Sequence, residues 1–260
     1  MTISVGQIEQ SLFAAAPAEL RQSWDNVGLL VGDPAAPAGK ILVALDITRD
    51  VVEEAVEGGY SLIVAHHPVM NCAWHPVQTV RPDNNQGWIL TALIQNRIAA
   101  ICMHTNLDSA QGGVNDALAE ALGLEEIGPL SPDGLGRVGT LPKEMDLPAF
   151  AAFVKERLGA NGVRYASGGE KQVRRVAVGG GACGEFAPLA AELGCDTFVT
   201  ADLKYHDFQN AAPMGLHLLD AGHFPTENVV CPVAAALLRE SFPDLEVSLS
   251  QRHGEIIQYV

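Results

Sequence analysis

The heptapeptide Ile63-Val64-Ala65-His66-His67-Pro68-Val69 sets the architecture expected for this chain. Its apolar, β-branched beginning predicts a buried strand, which is expected to end at the two histidines and the proline. Because side chains alternate between the two faces of a strand, His66 and His67 can converge only if the backbone leaves strand geometry there. Pro68 favours such an exit, since it has no backbone N–H and restricts His67 to extended conformations. Taken alone, the pair is explained as well by one core imidazole and one exposed imidazole as by two imidazoles that converge on one point.

This strand completes a predicted strand–helix–strand unit that begins at Lys40. Segment 41–45 is predicted to be a buried strand that ends at Asp46. Thr48 is expected to cap the following helix, and Gly58 and Gly59 are expected to end it. A helix over 86–96 and a strand over 98–103 follow after a long irregular connection. The order of elements predicts an α/β fold.

The chain is expected to form two similar α/β lobes. Gly, Pro, Ser and Asp dominate around 128–139, which indicates the crossing between them. The first lobe is predicted over 1–128 and 222–260, and the second over 129–221. Ser4 and Gln7 are predicted to form a capping box at the first helix, and Asp146 to cap a helix over 147–158. Two strands, around 245–249 and 255–260, are expected to end the chain.

Composition excludes several classes of function. A chain of 260 residues with a formal charge of −15 is not expected to bind nucleic acid in general or an anionic membrane, since both require clustered Lys and Arg. The five cysteines are scattered and include no Cys-x-x-Cys pair, which is typical of reduced cysteines in a cytoplasmic protein. No signal peptide and no membrane-spanning apolar run are evident.

Imidazole and carboxylate side chains recur just past the carboxyl ends of predicted strands. They are His66, His67, His104, His223, Asp46, Asp108, Asp202 and Glu227, with His206 a few residues beyond another strand. In open α/β sheets, ligands bind outside these strand ends. Taken singly, His104 or Asp108 is better explained as a structural residue. Together, these groups form the ligand set of a hydrolytic or redox-inactive divalent metal site.

The spacing of His223 and Glu227 adds a second indication. Four residues apart, both side chains can project to one side if the segment forms a helical turn. A carboxylate has two oxygens and can bridge two cations, which an imidazole cannot do. The pattern therefore allows two metal ions.

Six motifs in this order resemble the NIF-three-like dinuclear metal-centre proteins, whose bacterial members are called GTP cyclohydrolase I type 2 homologues. The motifs are Trp24-Asp25-Asn26-Val27-Gly28-Leu29, Leu45-Asp46-Ile47-Thr48, His66-His67-Pro68, His104-Thr105-Asn106-Leu107-Asp108, Asp202-Leu203-Lys204-Tyr205-His206, and Asp220-Ala221-Gly222-His223 with Glu227. The resemblance covers essentially the whole chain. Two departures are visible: Ala201 stands where the family usually has glycine, and the chain is the short form without an inserted domain.

The resemblance implies two α/β lobes with mixed sheets that face each other across a dinuclear metal site, in a ring-shaped homo-hexamer. The implied ligands of two divalent metal ions per subunit are His66, His67, Asp108, His223 and Glu227. The resemblance further implies that Asp108 shares the ion of His67, that His223 shares the ion of His66, and that Glu227 bridges. Asp25, Asp46, His104 and His206 are alternatively outer partners that orient the ligands. Zn, Mn, Fe, Co and Ni all suit this ligand set.

Such a site predicts a metal-dependent hydrolase, because two cations can convert a shared water into hydroxide near neutral pH. His104 and His206 are candidate proton carriers. Lys204 and Arg81 are candidate anchors for an anionic, possibly nucleotide, substrate. Gly179-Gly180-Gly181 lacks the Lys-Ser/Thr ending of a P-loop, so a tight turn is favoured there over an anion-binding loop.

A protein of a different class remains an alternative. In a non-catalytic regulatory or interaction protein, two metal ions could hold the lobes together, or their binding could report the supply of metal. Metal binding that only supports folding needs no open coordination position, whereas catalysis does.

Overall fold

The computed structural model describes residues 2–71 and 76–260. His75, for which the sequence pattern favours a structural or surface role, lies outside the described residues. The chain forms two compact units. The first comprises Met1–Gln111 with Cys231–Gly254, and the second comprises Gly112–Val230 with Glu255–Val260. Each unit is built on one mixed β-sheet, which confirms the α/β fold class.

The helices and strands follow the chain in three runs. The first unit begins with α1 (Val5–Ala15), β1 (Gly28–Val31), β2 (Lys40–Ala44), α2 (Arg49–Gly58), β3 (Tyr60–Ala65), α3 (Asn85–Gln95), β4 (Ala99–Cys102) and α4 (Thr105–Ser109). The second unit contains α5 (Val114–Ala121), β5 (Glu125–Pro129), β6 (Arg137–Met145), α6 (Leu147–Leu158), β7 (Arg164–Ala166), β8 (Val173–Val178), α7 (Ala187–Glu192), β9 (Thr197–Thr200), α8 (Tyr205–Gln209), α9 (Ala211–Met214), β10 (His217–Asp220) and α10 (His223–Glu227). The chain then returns to the first unit with α11 (Val230–Ser241) and β11 (Val247–Leu249).

The sheet of the first unit has the strand order β1-β4-β3-β2-β11. The last four strands in this order run parallel to their neighbours, and β1 is antiparallel to β4. Residues of the inner strands, such as Leu42 and Ile63, are fully buried. They pack with α2 and α3 residues such as Val51 and Leu93 into one apolar core. A parallel sheet requires this cover, which explains the nearly continuous apolar runs of β2 and β3.

The sheet of the second unit has the order β5-β6-β8-β9-β10-β7. Its inner strands β8, β9 and β10 are parallel, and the outer strands pair antiparallel. Two apolar cores pack against it. One contains Phe150 of α6, and the other contains Phe198 of β9.

Local sequence signals place most helix ends as predicted. Ser4 and Gln7 form the capping box of α1, and Thr48 accepts a hydrogen bond from the Val51 amide at the start of α2. Asp146 accepts from the Ala149 amide and caps α6 over the predicted range. These short-range hydrogen bonds satisfy first-turn amides that have no partner within the helix.

Two features differ from the sequence expectations. The chain enters the second unit at Gly112 instead of residue 129 and leaves it at Val230 instead of residue 221, because α5 residues such as Leu118 pack in the core on the second sheet. The prediction of a strand over 255–260 is wrong, since the structure has no strand there. The segment instead contacts residues of the second unit that are distant in sequence: the Asn161 side-chain amide donates to the Ile257 carbonyl at 2.7 Å.

Within the described residues, no helix combines the length and the apolar character that crossing a bilayer requires.

Candidate metal centre

The candidate site of the first unit lies at the carboxyl edge of its sheet. His66 directly follows β3, His104 lies two residues after β4, and Asp46 lies two residues after β2. Because β2, β3 and β4 are parallel neighbours, their carboxyl ends meet at one edge. Asp25 reaches the same edge from the antiparallel strand β1, whose first residue pairs with the last residue of β4.

The backbone leaves strand geometry at His66 and His67, as their convergence requires. β3 ends at Ala65, and the amides of both His66 and His67 then donate to the Leu45 carbonyl, at 3.1 and 3.0 Å. Two successive amides on one acceptor break the alternation of faces. The two imidazole rings consequently lie on the same side, with their centroids 5.0 Å apart.

His104 completes a cluster of three imidazoles. Its ring centroid lies 5.1 Å from that of His66 and 5.6 Å from that of His67. One ring nitrogen from each of the three residues lies within 4.8 Å of the others, which is close enough to hold a metal ion. His66 and His104 are buried and His67 is partly buried.

Each imidazole of this cluster has its Nδ1 within hydrogen-bond distance of an oxygen acceptor. His66 Nδ1 lies 2.8 Å from the Met103 carbonyl, His67 Nδ1 lies 2.7 Å from Asp46 Oδ1, and His104 Nδ1 lies 2.8 Å from Asp25 Oδ1. A carbonyl or an ionised carboxylate can only accept, so each Nδ1 carries the proton. In the neutral ring Nε2 then carries the lone pair, which is the tautomer that binds a metal through Nε2.

Asp25 and Asp46 are held in the ionised form that this arrangement needs. Burial opposes the charge of Asp25 and would raise its pKa. The hydrogen bond and the charge of His104, together with hydrogen bonds from Thr105, outweigh this effect and lower the pKa of Asp25 to about 2. Burial also opposes the charge of Asp46, and hydrogen bonds from His253 and His67 outweigh it, so its pKa lies well below the usual range. Both aspartates therefore act in the structure as the partners that orient histidines.

Asp108 approaches the cluster from α4. Its Oδ1 lies 3.5 Å from His66 Nε2, and its side chain is 13% exposed. Two ligand atoms about 2.1 Å from a tetrahedral metal lie about 3.4 Å apart, so this separation fits a shared ion. The contact pairs Asp108 with His66, whereas the family resemblance implied His67.

His223 and Glu227 meet in the second unit, as their spacing predicted. They lie at the two ends of the one-turn helix α10, and His223 Nε2 is 3.0 Å from Glu227 Oε2. His223 Nδ1 is 2.7 Å from Oδ2 of Asp202, which follows the neighbouring strand β9. Burial lowers the pKa of His223, but the hydrogen bonds to Asp202 and Glu227 outweigh it and raise that pKa to about 11. A metal ion that binds His223 would therefore have to displace a proton from its imidazole.

The loop after β8 makes room for the Glu227 carboxylate. Gly181 has a φ of +64°, and a Cβ atom there would lie 2.1 Å from Glu227 Oε1. Its amide donates to Thr226 Oγ1 at 3.0 Å, while the Gly180 amide donates to Asn115 Oδ1 at 2.9 Å. The Gly179 amide donates to the Val199 carbonyl at 2.9 Å. All three amides are bound by the protein, which supports the turn over the anion-binding loop.

A family model described as Duf34/NIF3 (NGG1p interacting factor 3) matches residues 3–255. The chain belongs to the Duf34/NIF3 family.

Relatives and solved structures agree with this assignment. A Streptomyces coelicolor protein named GTP cyclohydrolase 1 type 2 homolog is 39% identical over 261 residues, covering 96% of this chain and 88% of that protein. A Clostridium perfringens protein of the same name is 35% identical over 252 residues, covering 94% and 95%. The crystal structure of a Bacillus cereus protein related to NIF3 superposes with a TM-score of 0.93 at 26% identity, covering 100% of this chain and 99% of that one. The resemblance predicted from the six motifs is confirmed.

The remaining candidates of this Duf34/NIF3 chain lie at exposed positions. His206 and Lys204 are both exposed around the start of α8. His206 Nδ1 is 3.0 Å from Gln209 Oε1 in its own helix. Arg81 is exposed and forms an ion pair with Asp83 two residues away. Their proposed catalytic and anchoring roles stay predictions.

A cavity of about 310 Å³ opens beside His67 in the first unit. Its apolar wall includes Ile47, Val69 and Ile89, and its polar wall includes Asp46 and Asn85. Neither its position nor its size was predicted from the sequence, since it forms between the first turns of α2 and α3, which are far apart in the chain.

Sequence reasoning also missed several supporting residues. The Met103 carbonyl, Asn115 and Thr226 carry no chemical signal of their own. The first binds His66, and the other two bind the Gly180 and Gly181 amides of the loop beside Glu227. The sequence pattern favours a structural or surface role for His253, which follows no predicted strand end, whereas the structure places its Nε2 at 3.1 Å from Asp46 Oδ2. The position of β11 beside β2 brings it there, which local sequence does not reveal.

Proposed function

We propose that this protein is a metal-dependent hydrolase with two divalent metal ions per subunit. The ligands in this proposal are His66, His67, Asp108, His223 and Glu227. The observation that carries it is the cluster of three imidazoles, each with Nδ1 directed at an oxygen acceptor. Buried histidines that serve only packing have no need to direct their second nitrogens at one point.

The donor set fits divalent metal ions of the hydrolytic type. It offers imidazole nitrogens and carboxylate oxygens, and the 3.5 Å between His66 Nε2 and Asp108 Oδ1 suits a shared ion. Zn, Mn, Fe, Co and Ni share these preferences. When bound, two such ions supply Lewis acidity and lower the pKa of water to near neutrality.

His104 is the candidate proton carrier with the best-supported position. Asp25 binds its Nδ1 and is itself held by the Thr105 amide at 3.0 Å, so the ring is fixed with Nε2 towards His66 and His67. An imidazole oriented by a buried carboxylate can accept a proton at Nε2 and release it again. His206 is the other proposed proton carrier, and Lys204 and Arg81 are proposed anchors for an anionic substrate, all three from exposed positions.

The cavity beside His67 is proposed to receive part of a small-molecule substrate. A volume of about 310 Å³ lies at the lower end of the range of ligand pockets, and the cavity has both apolar and polar walls. The relatives named GTP cyclohydrolase 1 type 2 homolog suggest that a nucleotide is the first substrate class to test. A cyclohydrolase reaction would open a purine ring by attack of water at a ring carbon.

The test compares metal content and hydrolysis in two variants, Glu227→Gln and His66→Ala. Metal-loaded proteins are assayed on a panel of nucleotides, phosphoesters and cyclic amides, and bound metal is measured by mass spectrometry. We expect turnover to fall at least 100-fold in both variants while the fold is retained. Glu192→Gln changes an exposed carboxylate in the unit that contains Glu227 and is expected to leave turnover unchanged. Turnover that survives in both variants would refute the hydrolase site.

The second candidate is a non-catalytic metal-binding protein that acts through partners. The family description, which names an interacting factor, favours it. In this case, metal would raise thermal stability and no substrate of the panel would be hydrolysed. This candidate would be favoured over the enzyme if the wild-type protein shows no turnover and if metal stabilises the wild-type protein but not His66→Ala.

A further inference from the structure

His253 lies directly behind the carboxylate that orients His67. Its Nε2 is 3.1 Å from Asp46 Oδ2, while the other oxygen of Asp46 is 2.7 Å from His67 Nδ1. Since a carboxylate only accepts, both imidazoles donate to it. The three residues thus form a continuous chain, His67–Asp46–His253, in the first unit.

The fold delivers His253 to this position through β11. This strand runs parallel to β2, with Leu249 opposite Val43, and the Ser250 amide extends the ladder to the Val43 carbonyl at 2.8 Å. Parallel neighbours end at the same edge of a sheet. The residues after β11 therefore arrive where Asp46 follows β2.

Helix α2 then holds the segment between β11 and His253. Glu54 accepts hydrogen bonds from Ser250 Oγ at 2.5 Å and from the Gln251 amide at 2.9 Å. Glu57 forms an ion pair with Arg252. These contacts involve three successive residues before His253, and its side chain is only 10% exposed. A histidine held this firmly is not a chance surface neighbour of Asp46.

We propose that His253 is a positioning residue for His67, acting through Asp46. The Asp46 side chain is 40% exposed, so without His253 its second oxygen would turn to water and its orientation would loosen. A fixed, ionised Asp46 keeps the proton of His67 on Nδ1 and its lone pair on Nε2. His253 thereby stabilises the metal-binding orientation of His67 from two residues away. This inference rests on the proposed metal site.

The test measures divalent-metal affinity by competition with a chromophoric chelator, using Mn²⁺ or Zn²⁺. Changing an outer partner of a metal ligand typically weakens binding about 10–100-fold, so we expect a decrease of about 3–10-fold in His253→Leu, one step further out. His253→Gln places an amide N–H near the position of Nε2 and is expected to restore most of the affinity. Glu240→Gln changes an exposed carboxylate of the first unit that takes no part in holding His253, and it serves as the control with unchanged metal affinity.

A second readout needs no metal. Long-range ¹H–¹⁵N spectra of the metal-free protein report which ring nitrogen of His67 carries the proton. We expect one tautomer in the wild-type protein and in His253→Gln, and a mixture in His253→Leu. If His253→Leu does not fold, His253→Asn takes its place, because its shorter side chain cannot reach Asp46 with the same geometry.

The outcomes separate this inference from the proposed function. Wild-type affinity and a single His67 tautomer in His253→Leu would overturn the positioning role. Asp46→Asn distinguishes the two levels: if it weakens metal binding while His253→Leu does not, only this inference fails. If Asp46→Asn also leaves metal affinity unchanged, the metal role proposed for His67 fails with it.

Discussion

The direction of one hydrogen bond determines the chemistry of each histidine in the three-imidazole cluster of the first unit. The acceptors are a backbone carbonyl for His66, Asp46 for His67 and Asp25 for His104. In each case an oxygen takes the Nδ1 proton, and in the neutral ring Nε2 then carries the lone pair. A metal site therefore depends on these acceptors nearly as much as on its ligands.

Replacing Asp25 with Asn should destabilise the metal-free protein by about 2 kcal/mol at pH 7, because the Asp25 side chain is fully buried and its pKa is lowered from 3.8 to about 2. A lowered carboxyl pKa contributes stability above the unfolded-state value and loses it as pH falls through the folded-state value. The difference between wild type and variant should thus shrink from pH 4 to pH 2. Urea unfolding at several pH values measures it.

The control for this experiment is Asp244→Asn, which changes an exposed aspartate of the same unit. It is expected to alter the free energy of unfolding by less than about 0.5 kcal/mol at any pH. An Asp25→Asn variant with the same acid sensitivity as the wild-type protein would contradict the assigned role of Asp25.

At the scale of elements, short sequence signals were reliable wherever the contact is local. Asp146 caps α6, and the capping box of Ser4 and Gln7 opens α1, because both motifs act within three residues. The strand expected at 255–260 failed for the opposite reason. Strand formation needs a neighbour with which to pair, and no short-range pattern reveals whether that neighbour exists.

Gly181→Ala should disrupt the surroundings of Glu227 in the second unit. The residue has a φ of +64°, and the added methyl group would collide with Glu227 Oε1. We expect a loss of about 1–2 kcal/mol in stability from the backbone alone, together with at least a 10-fold loss in metal affinity from the displaced carboxylate. Calorimetric metal titration and urea unfolding report the two effects separately.

Gly159→Ala is the matched control, since Gly159 ends α6 with a φ of +62° and has no atom within 4 Å of the added methyl group. It carries the same backbone penalty without the collision. Metal affinity should therefore stay at the wild-type value in this variant. Equal metal affinity in both variants would show that Gly181 does not serve Glu227.

The cavity formed by the first turns of α2 and α3 gives a prediction about substrate. Asn85→Trp should fill part of its volume of about 310 Å³ from an exposed position on the rim. We expect KM to rise about 10-fold or more, with unchanged metal content. Asn85→Ala loses the same hydrogen bond to Arg49 but leaves the volume open, so its KM should stay near that of the wild type. A normal KM in Asn85→Trp would exclude the cavity as the substrate site.

At the scale of the whole molecule, metal removal should lower thermal stability. A ligand present at 100 times its Kd stabilises the folded state by about 2.7 kcal/mol. For a chain of 260 residues this corresponds to a Tm higher by about 5–10 °C than after chelation. The His66→Ala variant should show a much smaller shift under the same conditions. Equal shifts in both proteins would place the stabilising ion elsewhere.

The proposed homo-hexamer is tested by mass. Six chains of 27.5 kDa give a particle of about 165 kDa, which light scattering after size exclusion measures directly. We expect this mass at micromolar concentration, with and without metal. A mass of one or two chains would refute the hexamer that the family resemblance implied.

The sequence by itself determined the α/β class, several helix caps and the family. It also singled out histidines and carboxylates that the structure brings into contact within each unit. Caps and buried strands are encoded by neighbours along the chain, and the six motifs are specific by their order. Only the tertiary structure decided that Asp25 and Asp46 orient histidines, that Asp108 contacts His66, and that β11 brings His253 to Asp46. These contacts depend on which strands become neighbours in the sheet, and long-range packing of the core sets that order.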